Sequence, residues 1–213
     1  MIFEQFATGG DRNYGYLIGD EAGQEAALVD PSYSPETLVA RAEQLGLKVR
    51  YILNTHGHAD HTNGNETAQR LSGAETVAHR STALPVDRRV DDGDELPLGE
   101  TTLRILHTPG HAADAICILA GNKLCTGDTL FVGKVGGTDL GDGARTEYDS
   151  LHRKLLTLPD DTEVWPGHNY GGRPSSTIGE ERRTNPFLLR DSFESFVELK
   201  ANWADYKRQH GID

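Results

Sequence analysis

Thr55-His56-Gly57-His58-Ala59-Asp60-His61 packs three imidazoles and a carboxylate into seven consecutive residues. Folding alone does not ask for such a concentration, because each of these groups costs free energy to bury without a partner. Neutral imidazole and ionised carboxylate together suit Zn, Fe, Mn or Co, whereas Ca²⁺ takes an all-oxygen shell. The segment lies inside the chain and is interrupted by Asp60, so it does not read as a purification tag. Just before it, Val49-Arg50-Tyr51-Ile52-Leu53-Asn54 is a β-branched and aromatic strand candidate, and just after it Asn63, Gly64 and Asn65 suit a tight turn. The cluster is therefore expected on a loop leaving a strand, where His56 and His58 can chelate one ion while Asp60 and His61 face a second.

Further ligand types sit between turn residues downstream, in Thr108-Pro109-Gly110-His111, Thr126-Gly127-Asp128-Thr129 and Trp165-Pro166-Gly167-His168. Short apolar runs precede them: Leu103-Arg104-Ile105-Leu106, Lys123-Leu124-Cys125 and Thr162-Glu163-Val164-Trp165. Each ligand is then expected just past the carboxyl end of a strand, a common place for the sites of layered α/β folds. A transition metal held by loops from distant parts of the chain is the first hypothesis.

Composition narrows the alternatives. A chain of 213 residues can build one sizeable core, and no linker, repeat or low-complexity stretch divides it, so one domain over residues 1–213 is expected. Met1 leads directly into a strand-like segment without a basic start and apolar core, and no apolar run is long enough to span a bilayer. A cytoplasmic protein without a membrane partner is the expectation. Cys117 and Cys125 lie in apolar strand-like stretches, where cysteine behaves as a small buried hydrophobe. The formal charge of −12 argues against nucleic acid as a partner, since phosphate binding relies on Lys and Arg displacing counterions.

The hydropathy pattern predicts strands over 3–6, 14–18 and 26–29, then a helix from Ser34 to Leu45, with Ser34 as its cap and Pro35 at its first position. A helix ending near Ala68 to Leu71 is expected after the histidine loop. Strands follow at 76–78 and 101–106, with a helix around Glu147 to Leu156 and a closing helix over about 193–210.

The run His56-x-His58-x-Asp60-His61 followed by His111, Asp128 and His168 resembles the metallo-β-lactamase superfamily in order and spacing over almost the whole chain. Within it, Gly127-Asp128-Thr129-Leu130-Phe131, Gly167-His168-Asn169-Tyr170 and the stretch from Ser176 to Leu188 resemble the glyoxalase II-like and persulfide dioxygenase-like branch. The resemblance implies an α/β protein, an αββα sandwich with metals at one rim of two sheets.

The resemblance also implies residue roles. In a two-metal arrangement His56, His58 and His111 hold one ion, Asp60, His61 and His168 hold the other, and Asp128 bridges them. Two ions (Zn, Fe or Mn) would supply a hydroxide that attacks a small thioester of the hydroxyacylglutathione kind, with Asp60 and Asp128 as the catalytic carboxylates. In the alternative, His56, His111 and Asp128 hold a single Fe(II) that leaves positions for a thiol substrate and O₂, as in a glutathione persulfide dioxygenase. The ligand set is common to both chemistries. A lactonase or a non-catalytic metal-binding protein stands further off, and a homodimer is compatible with the resemblance.

Substrate contacts follow from the same likeness. Tyr170 matches a tyrosine that these families use near the glutathione backbone, and Lys134 stands where basic groups meet the glycyl carboxylate. Gly137 replaces an arginine common in the dioxygenase-like branch, which removes a two-point carboxylate anchor. Ala112-Ala113-Asp114 departs from the usual residues after His111, leaving Asp114 either to orient that histidine or to face solvent. His79, His107, His152 and His210 have no matching partners, and Glu180-Glu181-Arg182-Arg183 reads as a solvated face.

Overall fold

Alternation of side chains along the strands sorts this molecule into layers. The computed structural model describes residues 1–212. Strands β1 (Ile2–Gly9), β2 (Asn13–Asp20), β3 (Glu25–Val29), β4 (Lys48–Leu53), β5 (Glu75–His79) and β6 (Arg88–Val90) form one six-stranded sheet in chain order. Its first pairings are antiparallel, and β3 to β6 are parallel. Strands β7 (Glu95–Leu98), β8 (Thr101–His107), β9 (Ile116–Ala120) and β10 (Lys123–Gly127) belong to the second sheet. A small ribbon, β11 (Leu130–Phe131) with β12 (Lys134–Val135), stands apart. Strands β13 (Glu163–Pro166) and β14 (Ser176–Thr177) complete the second sheet, whose order is β14-β13-β10-β9-β8-β7.

Period-two burial decides which face each side chain serves. Ile18, Val29, Tyr51 and Leu53 meet Ile105, Ile116, Ile118 and Cys125 in the core between the sheets. The intervening Leu17, Leu28 and Ile52 point the other way, onto Leu38, Val39 and Ala42 of helix α1 (Pro35–Gln44) and Ala68 of the later helix α3. Between α1 and α3 (Asn65–Ser72) lies the single turn α2 (Ala59–Thr62). On the far side, Cys117, Leu124 and Val164 pack against Leu151 of α4 (Asp142–Arg153), Ile178 of α5 (Ile178–Thr184) and Phe196 and Leu199 of α6 (Phe193–Ala201). A last helix, α7, covers Trp203–His210. The result is the expected αββα sandwich.

Three local expectations need correction. Ser34 occupies the cap position of α1, but its hydroxyl donates to the Thr8 carbonyl (2.8 Å) and so ties the helix start to the end of β1. The expected closing helix is broken at Asn202 (φ −109°, ψ 18°), whose amide still bonds back to Glu198 while its carbonyl accepts from Asp205 and Tyr206. Asparagine suits such a junction because it competes poorly as an interior helical residue, and the break lets Trp203 pack on Phe187 at 4.7 Å between ring centroids. The helix expected around Glu147 starts earlier, at Asp142, and ends at Arg153, followed by a 3₁₀ turn at Leu155–Thr157.

Both cysteines are free and buried. Burial pushes the Cys117 thiol up to about 11 and the Cys125 thiol well above its ordinary value, which leaves both inert at neutral pH. Among the described residues no helix is long and apolar enough to cross a membrane.

Because β3 runs parallel to β4 and β10 parallel to β13, the carboxyl ends within each pair lie side by side. Asp30, His56, Asp128 and His168 all follow those ends directly or within a few residues.

Candidate metal centre

The centre is assembled from loops that the sheets deliver to one rim. Backbone bonds lock the loops together: Ile116 N donates to Thr55 O (2.7 Å), Gly167 N to Gly127 O (2.8 Å) and Tyr14 N to Gly167 O (2.8 Å). Asn54, fully buried, uses its amide to hold His61 O (3.2 Å) and pairs with Asn65, which fixes the turn carrying Asp60 and His61.

All seven of the expected ligand residues converge. His58 Nδ1 lies 3.0 Å from both His56 Nε2 and His111 Nε2. His61 Nε2 and His168 Nε2 are 3.2 Å apart, and Asp60 Oδ2 is 3.6 and 3.4 Å from them. Asp128 reaches both clusters, with Oδ1 3.3 Å from His61, and Oδ2 3.6 Å from His111 and 3.4 Å from His168. Three ligand groups result: His56, His58 and His111; His56, His61 and Asp128; and Asp60, His61 and His168.

The outer nitrogens of four histidines are already engaged. His56 Nδ1 meets Thr55 Oγ1 (3.1 Å), His61 Nδ1 meets Asp30 Oδ2 (2.9 Å), His111 Nδ1 meets Gly137 O (2.8 Å) and His168 Nδ1 meets Asp11 O (2.9 Å). With Nδ1 donating outward, a ring in its neutral form presents the bare Nε2 lone pair inward, an arrangement that fixes tautomer and ring angle in metal sites. Lone pairs then face one another at about hydrogen-bond distance, and one proton can satisfy only one such contact. Asp128 Oδ1 is buried with no hydrogen-bond partner. An inward-facing set of acceptors with an orphaned carboxylate oxygen fits a bound cation.

The electrostatics divide the histidines: His56 and His111 are lowered, whereas His61 and His168, which face Asp128, are raised despite burial. Burial lowers His56 to about 3 and also lowers His111, so both rings are neutral donors. Burial opposes ionisation of Asp128, but the His168 and His61 imidazoles that face it outweigh burial and hold that carboxylate well below its ordinary range. For His61 burial is outweighed by the Asp30 and Asp128 carboxylates, which raise it well above the usual imidazole value. Asp60 is lowered despite burial, chiefly by the Asn13 amide 3.1 Å from Oδ2.

A cleft of about 1070 Å³ opens beside His111 and Asp128. Tyr170 and Lys134 both line it. The Tyr170 ring stacks on His168 (4.7 Å, 4°) and its hydroxyl donates to Asp11 Oδ2 (2.7 Å). Lys134 Nζ sits 4.7 Å and Arg12 Cζ 4.9 Å from the centre of that ring. Lys207, from α7, lines the same cleft, and burial together with Lys207 lowers the Lys134 ammonium. In a chain of net charge −12 this is a local concentration of cations.

The sequence reading passed over Asp30, Asn13, Arg12 and Lys207. Asp30 had a signal, an Asp-Pro step closing a strand, whereas Lys207 had none because its partner residues lie far away in sequence. Asp114 does not orient His111, whose Nδ1 goes to Gly137 O. Glu181 is not on a solvated face; it is buried and accepts from Gly133 N (2.9 Å). Arg182 turns to Asp160 and the Leu156 carbonyl instead of the cleft. His79 and His107 stack on each other, and His152 and His210 bond back within their helices.

Comparison with known proteins agrees with this geometry. The family model for the metallo-beta-lactamase superfamily matches residues 8–168. The mitochondrial persulfide dioxygenase ETHE1 of Homo sapiens is 36% identical, over 88% of this chain and 75% of the relative. The hydroxyacylglutathione hydrolase of Rhodospirillum rubrum is also 36% identical, over 84% of each. Among solved structures, ETHE1 from Myxococcus xanthus superposes with a TM-score of 0.89 at 38% identity, covering 95% of this chain and 91% of that one.

Proposed function

This chain belongs to the metallo-beta-lactamase superfamily, and from that premise we propose that it is a metal-dependent enzyme acting on a small, anionic, glutathione-derived sulfur compound, by hydrolysis of a thioester. The observation that carries a metal-dependent reading is the convergence of Asp60, His61 and His168 beside His56, His58 and His111, with Asp128 reaching both. Thioester hydrolysis is the chemistry that puts both groups to use, and the dioxygenase-like branch shares the same residues. His56, His58, His111 and Asp128 would hold one ion, and Asp60, His61, His168 and Asp128 the other. Bound there, two transition-metal ions would polarise a carbonyl and bring the pKa of water toward neutrality.

The protein's own groups supply the rest. Asp30, Thr55, Gly137 and Asp11 keep the imidazoles in the donor tautomer, and Asn13 aims Asp60 inward. Lys134, Lys207 and Arg12 around Tyr170 would attract and orient the substrate's carboxylate end. Helices α6 and α7 pack on the sandwich through Phe196, Leu199 and Trp203, which supports residues 1–213 acting as one domain.

A second reading rests on a separate observation, the likeness to ETHE1 from Myxococcus xanthus over nearly the full length of both chains. There His56, His111 and Asp128 would hold one Fe(II), with a glutathione persulfide and O₂ as substrates. Gly137 lines the cleft and a side chain on it would meet open space, so the arginine of that branch has room here but is absent, and Lys134 and Lys207 are the lysines left in the cleft to meet a carboxylate.

One preparation decides between the two. Protein purified anaerobically is analysed for metal and then assayed for thioester cleavage and for O₂ uptake with glutathione persulfide. The first reading expects two ions and thioester cleavage that Asp60→Ala cuts by orders of magnitude. One iron per chain, persulfide-dependent O₂ uptake and no thioester cleavage would replace it with the second.

A further inference from the structure

Beneath the His111 loop lies an ion pair in which both side chains are nearly inaccessible, 0% for Glu147 and 6% for Lys200. Such a pair adds little net stability, because desolvating two charges offsets most of their attraction. Its placement suggests another use. The Lys200 ammonium, on α6, bonds to Glu147 Oε2 on α4 and also donates to the Gly136 carbonyl (2.7 Å). The next carbonyl along, that of Gly137, is the one that receives His111 Nδ1. Glu147 meanwhile underlies the other side of the same histidine: a Cβ on Gly110 would fall against the Glu147 backbone, and Ser150, one turn on, donates to Pro109 O (2.7 Å).

The segment from Gly133 to Gly137 is held from the helix side at three points. Glu181 takes Gly133 N, Asn185 donates to Lys134 O (3.3 Å) and Lys200 donates to Gly136 O. The first two anchor the ribbon near Lys134. Only Lys200 acts beside the peptide that meets His111, and Gly136 has no room to find another seat, since a Cβ there would strike Asp128 O and approach His111 Cβ to 3.0 Å.

We infer that Lys200, seated by Glu147, is a positioning residue for His111: it fixes the Gly136-Gly137 backbone so that the Gly137 carbonyl holds His111 with Nε2 turned to the metal centre. The inference rests on the reading of His111 as a ligand. It makes the C-terminal helices part of the metal-binding apparatus, although none of the seven ligands lies on them.

The test uses the full-length chain stripped of metal and titrated with Zn²⁺ against a chromogenic chelator, together with ¹⁵N NMR of the His111 imidazole. In the wild type, His111 should be the Nδ1–H tautomer before any metal is added; a predominant Nε2–H tautomer overturns the inference without a variant. Glu147→Gln keeps the donor to Gly136 and should keep the tautomer. Lys200→Met, and Glu147→Gln/Lys200→Met, which leaves no orphaned charge, should mix the tautomers and weaken Zn²⁺ binding by roughly 10–100-fold. A double variant with wild-type circular dichroism, wild-type tautomer and wild-type affinity would show that the pair only supports the fold, and the inference would be wrong. Tautomer loss in the variants of a wild type that binds no Zn²⁺ would support the positioning role while removing the metal reading.

Discussion

Asp30 Oδ2 lies 2.9 Å from His61 Nδ1, with both side chains almost completely buried beneath the candidate metal centre. The same carboxylate accepts from Thr55 N (2.9 Å) and Thr55 Oγ1 (2.6 Å), so one side chain orients His61 directly and His56 through Thr55. Asp30 does this from a left-handed backbone (φ 45°), a conformation that costs a non-glycine residue of order 1–3 kcal/mol and persists where the surroundings demand it.

Asp30→Asn keeps the shape but turns an acceptor into a donor on one side. Metal affinity should fall by roughly 10–100-fold, read by competition with a chelator on protein whose folding is checked by circular dichroism. Unchanged affinity in a folded variant would remove Asp30 from the site.

Gly167→Ala tests how tightly the rim is packed. The added methyl would sit 2.5 Å from Asp128 Oδ1 and 2.9 Å from His61 Cε1, so one of the two must move. Metal occupancy should drop steeply, with overpacking costing about 1–3 kcal/mol of stability. Elemental analysis and urea unfolding read the two effects separately, and full occupancy would contradict the geometry.

Burial raises Glu147 to about 7 from an ordinary 4.5, with Lys200 offsetting only part of the effect. Between those values the folded chain retains a proton that the unfolded chain has lost. Its contribution to stability is therefore fully present below pH 4.5 and is lost as pH rises through about 7. The difference between wild-type and Glu147→Gln stabilities, from urea melts of metal-free protein, should fall across that window with a slope no steeper than about 1.4 kcal/mol per pH unit. A flat difference would mean that Glu147 ionises normally in its buried seat.

If the cations around Tyr170 hold the substrate's anionic end, Lys134→Ala and Lys207→Ala should each raise KM roughly tenfold with kcat little changed. Added salt should raise the wild-type KM in the same direction. Steady-state kinetics at two ionic strengths check this, and KM values untouched by either substitution would place the substrate elsewhere.

Zn²⁺ at 100 times its dissociation constant should stabilise the folded chain by about 2.7 kcal/mol. Thermal melting of stripped protein with and without Zn²⁺ measures it, and Asp128→Ala should abolish most of the shift. A melting temperature indifferent to metal would argue against the centre itself.

Much of this protein was legible before folding was considered. The seven candidate ligand residues were readable because six of them sit directly beside Gly or Thr and Asp60 lies within the same short histidine run, on loops that follow apolar strand-like stretches. The alternation Leu28-Val29 and Ile52-Leu53 likewise marks faces by local stereochemistry. Ser34 was misjudged because the Thr8 carbonyl overrides its capping preference, whereas at Asn202 the periodic pattern masked the residue's own poor fit to a helix interior, and the break seats Trp203 on Phe187.

What only the tertiary structure decided are relationships between residues distant in sequence. Asp30 under His61, Asn13 on Asp60, Lys207 beside Lys134 and Lys200 under Gly136 leave no local periodicity. Side chains that bond to a metal are constrained by their own chemistry and announce themselves by type and spacing. Those that orient them need only reach one atom from any element the packing brings near, so their identity is set by sheet order and helix placement.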